Sequence, residues 1–567
     1  MASLAFFFVL ISSTFLSSQA NNLHLQQLRT QDESFTSILV SQNGLDFVKD
    51  LLVNEAISSI IPLQLPATIE KSARIPFLGN VHMVISNVTI YKIDVLASYV
   101  KLGNSGIAIV ASGTTCNLTM NWHYSYSSWL VPIEISDGGR ASVEVEGMEV
   151  GLTLGLENHE GTLKLALLES GCYVKEITIK LDGGASWLYQ GMINAFEEQI
   201  GSAVESAITN KLKDGILKLD SFLQSLPKEI PVDDNASLNV SFVENPELSS
   251  SSIEFDINGL FTDGKKVQPV SNHYRQVLQP SVFCIDQSKM LGISLDEAVF
   301  NSASALYYDA EFMEWIVDKV PDQALLNTAG WRFIIPQLYK KYPNDDMNLN
   351  ISLSSPPVIR ISEDNIGATV YADVIIDVVE DSQVISVACI SLETAEILPD
   401  RDRQLVSYLT GFIALCMVSS LVFLIPKVIR GTGSVKIMGN NLGGSVKLDD
   451  LAMSLKWSKI GNLRMYLIQP VMWTLVQTVG IPYANSYLGK GFPLPIIHGF
   501  TLQNAEIIFS SSKVTVCSNV SYSESDNLNQ VPIHIKEENE ANCQLPTSHC
   551  TVFTLRCKLF GQQNAAM

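Results

Sequence analysis

The side chains that could do bond-making chemistry are few in this chain, and their spacing does not suit it. Eight histidines are scattered, with no H-E-x-x-H or other paired-ligand spacing. No G-x-S-x-G occurs, so the strained-turn serine of an esterase lacks its usual signal. Glycine patterns at 431–434 and 439–443 lack the Lys-Ser/Thr that closes a phosphate loop, and read as β-turn glycines. Cys543, Cys550 and Cys557 recur every seven residues beside His549, a spacing that fits no common zinc site. Asp345 and Asp346 read as a solvated turn. No catalytic set, metal site or cofactor is expected, and an extracellular hydrolase is the weakest reading.

The residues that recur with a clear period are apolar. Tyr189, Ile193, Phe196, Ile200, Val204, Ile208, Leu212, Ile216, Leu219 and Leu223 follow one another at three- or four-residue gaps through 187–226, without a proline. That spacing predicts one long helix with a single apolar stripe. Its length would be about 60 Å, too long for an ordinary compact domain. A second helix is predicted at 44–61, where Leu45, Val48, Leu52, Ala56 and Ile60 share a face and Pro62 stops it. Strand patterns surround both: Val81, Met83 and Ile85 alternate, as do Ile177, Ile179 and Leu181. The stretch 141–156 alternates through Val143 and Val145, then changes phase at Gly147 before Met148, Val150, Leu152 and Leu154. A single glycine that shifts phase predicts a β-bulge in a strongly curved sheet. A long amphipathic helix laid along such a sheet encloses apolar volume, and enclosed apolar volume suits a lipid.

Pro227 ends the long helix, and 227–252 reads as a linker rich in Pro, Asp, Asn and Ser. Beyond it the order of elements repeats without a sequence repeat. Ala368, Val370, Ala372, Val374, Ile376 and Val378 predict a strand. A late apolar helix is predicted at 462–487, with Pro470 and Pro482 kinking or breaking it.

At the start, 1–20 carries an apolar run and a small-residue end at Ser18, Gln19 and Ala20, which reads as a signal peptide although no Lys or Arg precedes the run. Six N-x-Ser/Thr sequons, at Asn87, Asn117, Asn235, Asn239, Asn350 and Asn519, agree with secretion and glycosylation. Nine cysteines include Cys116 and Cys172 in strand-like stretches of one half. An oxidising compartment predicts a disulfide between them, the alternative being two free buried thiols. With 58 acidic against 37 basic residues, the net charge of −21 argues against nucleic acid as a partner.

Several segments then resemble a known family. LGISLDEAVFNSASALYY at 291–308, LYKKYP at 338–343, LSSPP at 353–357 and KGFPLP at 490–495 resemble the second domain of the bactericidal/permeability-increasing and lipopolysaccharide-binding proteins. SQNGLD at 41–46 and the long helix resemble the first. The resemblance covers about 34–511, and Cys116 and the acidic balance are similar to the plant branch. It implies an α+β fold: an elongated boomerang of two pseudo-symmetric barrel-like domains, each a twisted antiparallel sheet with long helices, joined by a central sheet. It also implies capture of lipopolysaccharide in innate defence, or phospholipid transfer without immune specificity. Lipid-lining candidates are Leu45, Val48 and Leu52 with Met192, Phe196 and Ile200.

Animal defence members carry lysines on the first domain's tip. The matching stretch here, 121–129, has none, but holds Trp122, Tyr124, Tyr126 and Trp129, with Lys71 and Arg74 nearby in sequence. These six are the expected head-group contacts, because amphipathic rings suit a half-wet lipid interface. The expected partners are lipopolysaccharide or phospholipid at a microbial or membrane surface; the sequence identifies no downstream receptor.

In the family, the strand at 386–392 would run almost directly into 433–438. Here 393–432 intervenes, with an uncharged run at 405–426 flanked by Arg401, Arg403, Lys427 and Arg430. Three readings stay open: a foreign segment such as translated intron, a genuine membrane anchor, or a packed insertion. The domain plan is therefore a signal at 1–20, a first barrel at 21–226, a linker at 227–252, a second barrel at 253–516 with that interruption, and a loosely ordered tail at 517–567.

Overall fold

The computed structural model describes residues 33–65, 68–75, 79–103, 106–128, 131–182, 186–263, 284, 286, 288–320, 322–393 and 430–523. The signal at 1–20, Trp129, the run at 405–426 and all of the tail beyond 523 lie outside them.

The first half opens with β1 (Thr36–Ser41) and α1 (Gln42–Ile60). The Ser41 hydroxyl accepts the Gly44 N–H at 3.4 Å and so caps the helix. Eight strands follow: β2 (Leu63–Gln64), β3 (Ile69–Ile75), β4 (Gly79–Asp94), β5 (Ala97–Gly103), β6 (Gly106–Ser128), β7 (Val131–His159), β8 (Thr162–Tyr173) and β9 (Glu176–Asp182). Then comes α2 (Ser186–Gln224), one unbroken helix of 39 residues where the stripe predicted one. The expected linker at 227–252 carries β10 (Glu229–Pro231), β11 (Ser237–Asn239), β12 (Glu247–Leu248) and the start of β13 (Ser252–Ile257). Its polar composition hid these short strands. β14 (Phe261–Thr262) follows.

The second half runs through β15 (Leu291–Asp296), α3 (Glu297–Asp309), β16 (Glu314–Val317), α4 (Pro336–Lys341), β17 (Asp346–Leu353) and β18 (Val358–Ile361). It continues with β19 (Ile366–Thr369), β20 (Tyr371–Glu380), β21 (Gln383–Glu393), β22 (Arg430–Met438), β23 (Asn441–Asp450) and β24 (Ala452–Ser458). The predicted late helix is α5 (Met465–Leu475) and α6 (Ile481–Leu488), joined through a π-turn at Val476–Gly480. Pro470 sits inside α5, while Pro482 stands in the first turn of α6, directly after the π-turn. β25 (Phe492–Pro493), β26 (Phe500–Ser510) and β27 (Lys513–Tyr522) close the fold. β27 crosses the expected boundary at 516, so 517–522 belongs to the sheet and not to a loose tail.

A six-stranded sheet in the order β12-β13-β1-β15-β27-β26 takes strands from both halves. On either side the same strand order occurs twice. In the first half β5 pairs with residues 106–112 of β6, and β4 with residues 115–127. Likewise β9 pairs with residues 140–146 of β7, and β8 with residues 149–159. The breaks fall at Gly113 and Gly147, each with φ +62°, which only glycine adopts freely. The second half splits the equivalents of β6 and β7 into separate strands, giving β16-β17-β20-β21-β24 and β18-β19-β22-β23-β25. The single strand expected at 368–378 is thus broken at Val370, where the chain changes sheets. By the same correspondence, β21 and β22 are two pieces of one β7-like strand.

Each half has its own core. Ile85, Ile90, Leu118, Met148 and Ile200 centre the first; Trp331, Ile335, Val374, Ile376 and Ile468 centre the second. The expected Cys116–Cys172 disulfide is absent: both are free thiols, and the disulfide present joins Cys284 to Cys517, with Cα atoms 5.6 Å apart. Cys116 lies on β6 and Cys172 on β8, with β7 between them. Cys116 pairs with Val145 and Cys172 with Val150, on either side of the break at Gly147. Burial, and then the neighbouring Cys172, push the Cys116 thiol up to about 12; burial, and then Glu205, do the same to Cys172.

Candidate lipid-binding surface

The stripe of α2 changes character along its length. Phe196 (2% exposed) and Ile200 (0%) are sealed in the first core with Val204 and Ile208. Both were expected to line a pocket; they are structural instead, because the inward residues of β4, β6 and β7 already close over them. Farther on, Leu212 still packs against that core, while Ile216, Leu219 and Leu223 are half-buried and lie in none of the cores. Two carboxylates, one beside each part of the stripe, hold the helix down. Glu205 Oε1 accepts the Val174 N–H at 2.8 Å, and Asp220 Oδ1 accepts the Leu165 N–H at 2.7 Å. They occupy donors along β8 and just beyond it, so α2 is fixed along this strand by hydrogen bonds as well as by grease.

On α1, Leu45 and Leu52 are half-buried and Val48 is 36% exposed; these three also lie in none of the packed cores. α1 is held by a residue that sequence reading passed over. Lys49 is buried, its Nζ 3.1 Å from the Ser98 carbonyl on β5, 2.7 Å from Asp50 Oδ1 and 3.9 Å from Asp46 Oδ1. A lysine set within an apolar stripe was the available sign. Gly44 completes the docking: a Cβ there would stand 2.4 Å from the Met290 carbonyl oxygen. α1 and α2 touch, and Ile57 and Ile60 of α1 share the first core with Val204 and Ile208 of α2. Met192 lies on α2, but its side chain is outside the described residues.

The aromatic tip is arranged differently from expectation. Trp122, Tyr124 and Tyr126 stack in sequence on the inward face of β6, with ring centroids 5.9 and 6.4 Å apart. Trp122 is 2% and Tyr124 5% exposed, and Trp122 Nε1 donates to the Arg140 carbonyl at 3.0 Å. These two are core residues and not head-group contacts. Their neighbours Asn121 and His123 face out, as strand alternation requires. Lys71 is half-buried, 3.5 Å from Gln199 Oε1 on α2, whereas Arg74 is exposed. Of the sequons, Asn87 is exposed at a bulge in β4 with φ 52°, and Asn117, Asn235, Asn239, Asn350 and Asn519 are half-buried.

A cavity of about 410 Å³ opens elsewhere, between Lys436, Ile437 and Gly439 at the β22–β23 turn and Leu502, Asn504, Ala505 and Ile507 on β26. The described residues include no group of three or more side chains placed to hold a metal ion. The half-buried side chains of α1 and α2 offer apolar contact.

Comparison with known proteins agrees with the fold. The sequence model described as "LBP / BPI / CETP family, N-terminal domain" matches residues 44–226, and its C-terminal counterpart matches 231–398 and 403–522. A BPI/LBP family protein of Arabidopsis thaliana is 60% identical, covering 92% of this chain and 97% of that protein. The bactericidal permeability-increasing protein of Sebastes schlegelii is 23% identical over 83% of this chain and 91% of its own length. The lipopolysaccharide-binding protein of Homo sapiens is 22% identical over 85% and 92%. A crystal structure of lipopolysaccharide binding protein superposes with a TM-score of 0.56 at 17% identity, covering 86% of this chain and 99% of that one, a likeness of fold.

Proposed function

This chain belongs to the LBP / BPI / CETP family, and from that premise we propose that it binds amphipathic lipids, lipopolysaccharide foremost, as a secreted glycoprotein of innate defence. The observation that carries the reading is the set of six apolar side chains on α1 and α2 (Leu45, Val48, Leu52, Ile216, Leu219, Leu223) that stay half-buried or exposed outside the packed cores. Covering each methylene of an acyl chain there is worth about 0.8 kcal/mol, so a few chains suffice without a clamp of charge. Head groups would remain in water at the end of the stripe.

A second reading, a phospholipid carrier without immune specificity, is favoured by β7, where Glu134 and Asp137 are both exposed. Carboxylates there repel the phosphates of lipid A. Binding measured side by side to lipopolysaccharide and to neutral phosphatidylcholine separates the two. Tighter binding of lipopolysaccharide supports defence, equal binding supports the carrier, and no binding of either contradicts both.

A further inference from the structure

From Met465 to Leu488, through α5, the π-turn and α6, the sequence holds no Asp, Glu, Lys or Arg, although the whole chain has a net charge of −21. α1 and α2, by contrast, present Asp50, Glu55, Lys213 and Asp214 to water. The uncharged stretch is not sealed away. Ile468, Met472 and Leu475 are buried in the second core, but Tyr466 is 67%, Tyr483 41% and Tyr487 52% exposed. Trp315 of β16 stacks on Tyr483 with ring centroids 5.0 Å apart, and Tyr487 stands 5.1 Å from Tyr483. Exposed Arg464 and Lys490 flank the stretch, with Lys490 Nζ 4.9 Å from the Tyr487 ring centroid.

Polar side chains on this surface have spent their hydrogens within the helices. Trp473 Nε1 donates to Gln477 Oε1 at 2.9 Å, and Thr474 Oγ1 to the Pro470 carbonyl at 2.9 Å. Thr478 Oγ1 donates to the Thr474 carbonyl and Ser486 Oγ to the Tyr483 carbonyl, each at 2.7 Å. Donors satisfied in this way cost little to withdraw from water. A face built to recognise a protein would keep them free, since such interfaces carry hydrogen bonds across the contact. Rings of tyrosine and tryptophan, half apolar and half wet, suit the headgroup depth of a bilayer, and flanking cations reach its phosphates. We infer that α5 and α6 dock this protein on a neutral phospholipid bilayer, lying along the headgroup layer with Tyr466, Tyr483 and Tyr487 turned to it. A second copy is the poorer occupant, because two chains of −21 repel one another. The inference goes beyond the acyl-binding reading and does not rest on it, since a chain docked here need take up no lipid.

The test mixes the purified full-length protein with phosphatidylcholine vesicles. Co-sedimentation reads docking, and hydrogen–deuterium exchange maps the contact. Sedimentation that raised salt does not reverse is expected, with slower amide exchange across α5 and α6. Tyr466→Glu with Tyr487→Glu is expected to weaken sedimentation by about tenfold or more. Should that pair fail to fold, Leu488→Glu alone, at a 43% exposed position, is expected to weaken it in the same direction. Leu52→Glu with Leu219→Glu should still sediment while carrying less extractable lipid, which separates docking from acyl binding. No sedimentation of the unaltered protein, slowed exchange confined to other segments, or full sedimentation of the folded α6 variants overturns the inference and leaves acyl binding to lipid extraction. A dimer in light scattering that the same substitutions split assigns this face to a second copy and overturns it as well.

Discussion

Cys116 and Cys172 are kept as thiols by burial, and this has a consequence for stability. Their folded pKa, about 12, lies above the ordinary thiol value of 9.0. The folded state therefore holds protons that the unfolded state releases, so the contribution is complete below pH 9 and is lost as pH rises from 9 toward 12. The unfolding free energy is expected to fall over that window by on the order of 1 kcal/mol per pH unit. The Cys116→Ala, Cys172→Ala double variant should lack that part of the fall, as measured by urea titration at pH 8, 9 and 10. At this scale the sequence was half legible. The alternation of Asn121, Trp122, His123, Tyr124, Ser125 and Tyr126 already places polar side chains on one face and rings on the other, so Trp122 and Tyr124 could have been assigned to the core. Which thiols pair was not legible, because Cys284 and Cys517 are brought together from 233 residues apart.

α1 and α2 were legible as helices, because spacing and proline placement are local signals. Where each stripe stops being core was not, since Phe196, Ile200, Ile216 and Leu219 follow the same period and differ only in what the sheet sets opposite them. The two kinds of stripe residue should respond differently to mutation. Leu52→Glu with Leu219→Glu is expected to lower lipid binding at least tenfold with little change in melting temperature, because both sites are half-exposed. Ile200→Ala should instead cost about 2–5 kcal/mol of stability and leave lipid affinity per folded molecule unchanged. Calorimetry and a fluorescent-lipid titration on the same samples read both quantities. Equal loss of stability from the two sets would remove the distinction between lining and core.

The whole molecule repeats one strand plan twice, and that repetition bears on the run at 405–426. β21 pairs with β24 over Ala388–Glu393 and Ala452–Ser458, on either side of the interruption. A single membrane crossing between Glu393 and Arg430 would part these strands and leave their backbone groups without partners. Among the described residues no helix is long and apolar enough to cross a membrane. In the first half β7 continues through Gly147 at the corresponding point, so deleting 394–429 is expected to yield a folded, secreted protein with unchanged lipid binding and a melting temperature within a few degrees. The plan of two matching halves was legible as a repeated order of elements; how far each stripe is packed was not, because it depends on side chains contributed by distant segments. The most direct measurement is mass spectrometry of lipids extracted from the freshly purified, never-denatured protein. Amphipathic lipids carrying acyl chains, depleted in the Leu52→Glu, Leu219→Glu variant, are the predicted result. A clean protein that also takes up no lipid when offered it would contradict the account.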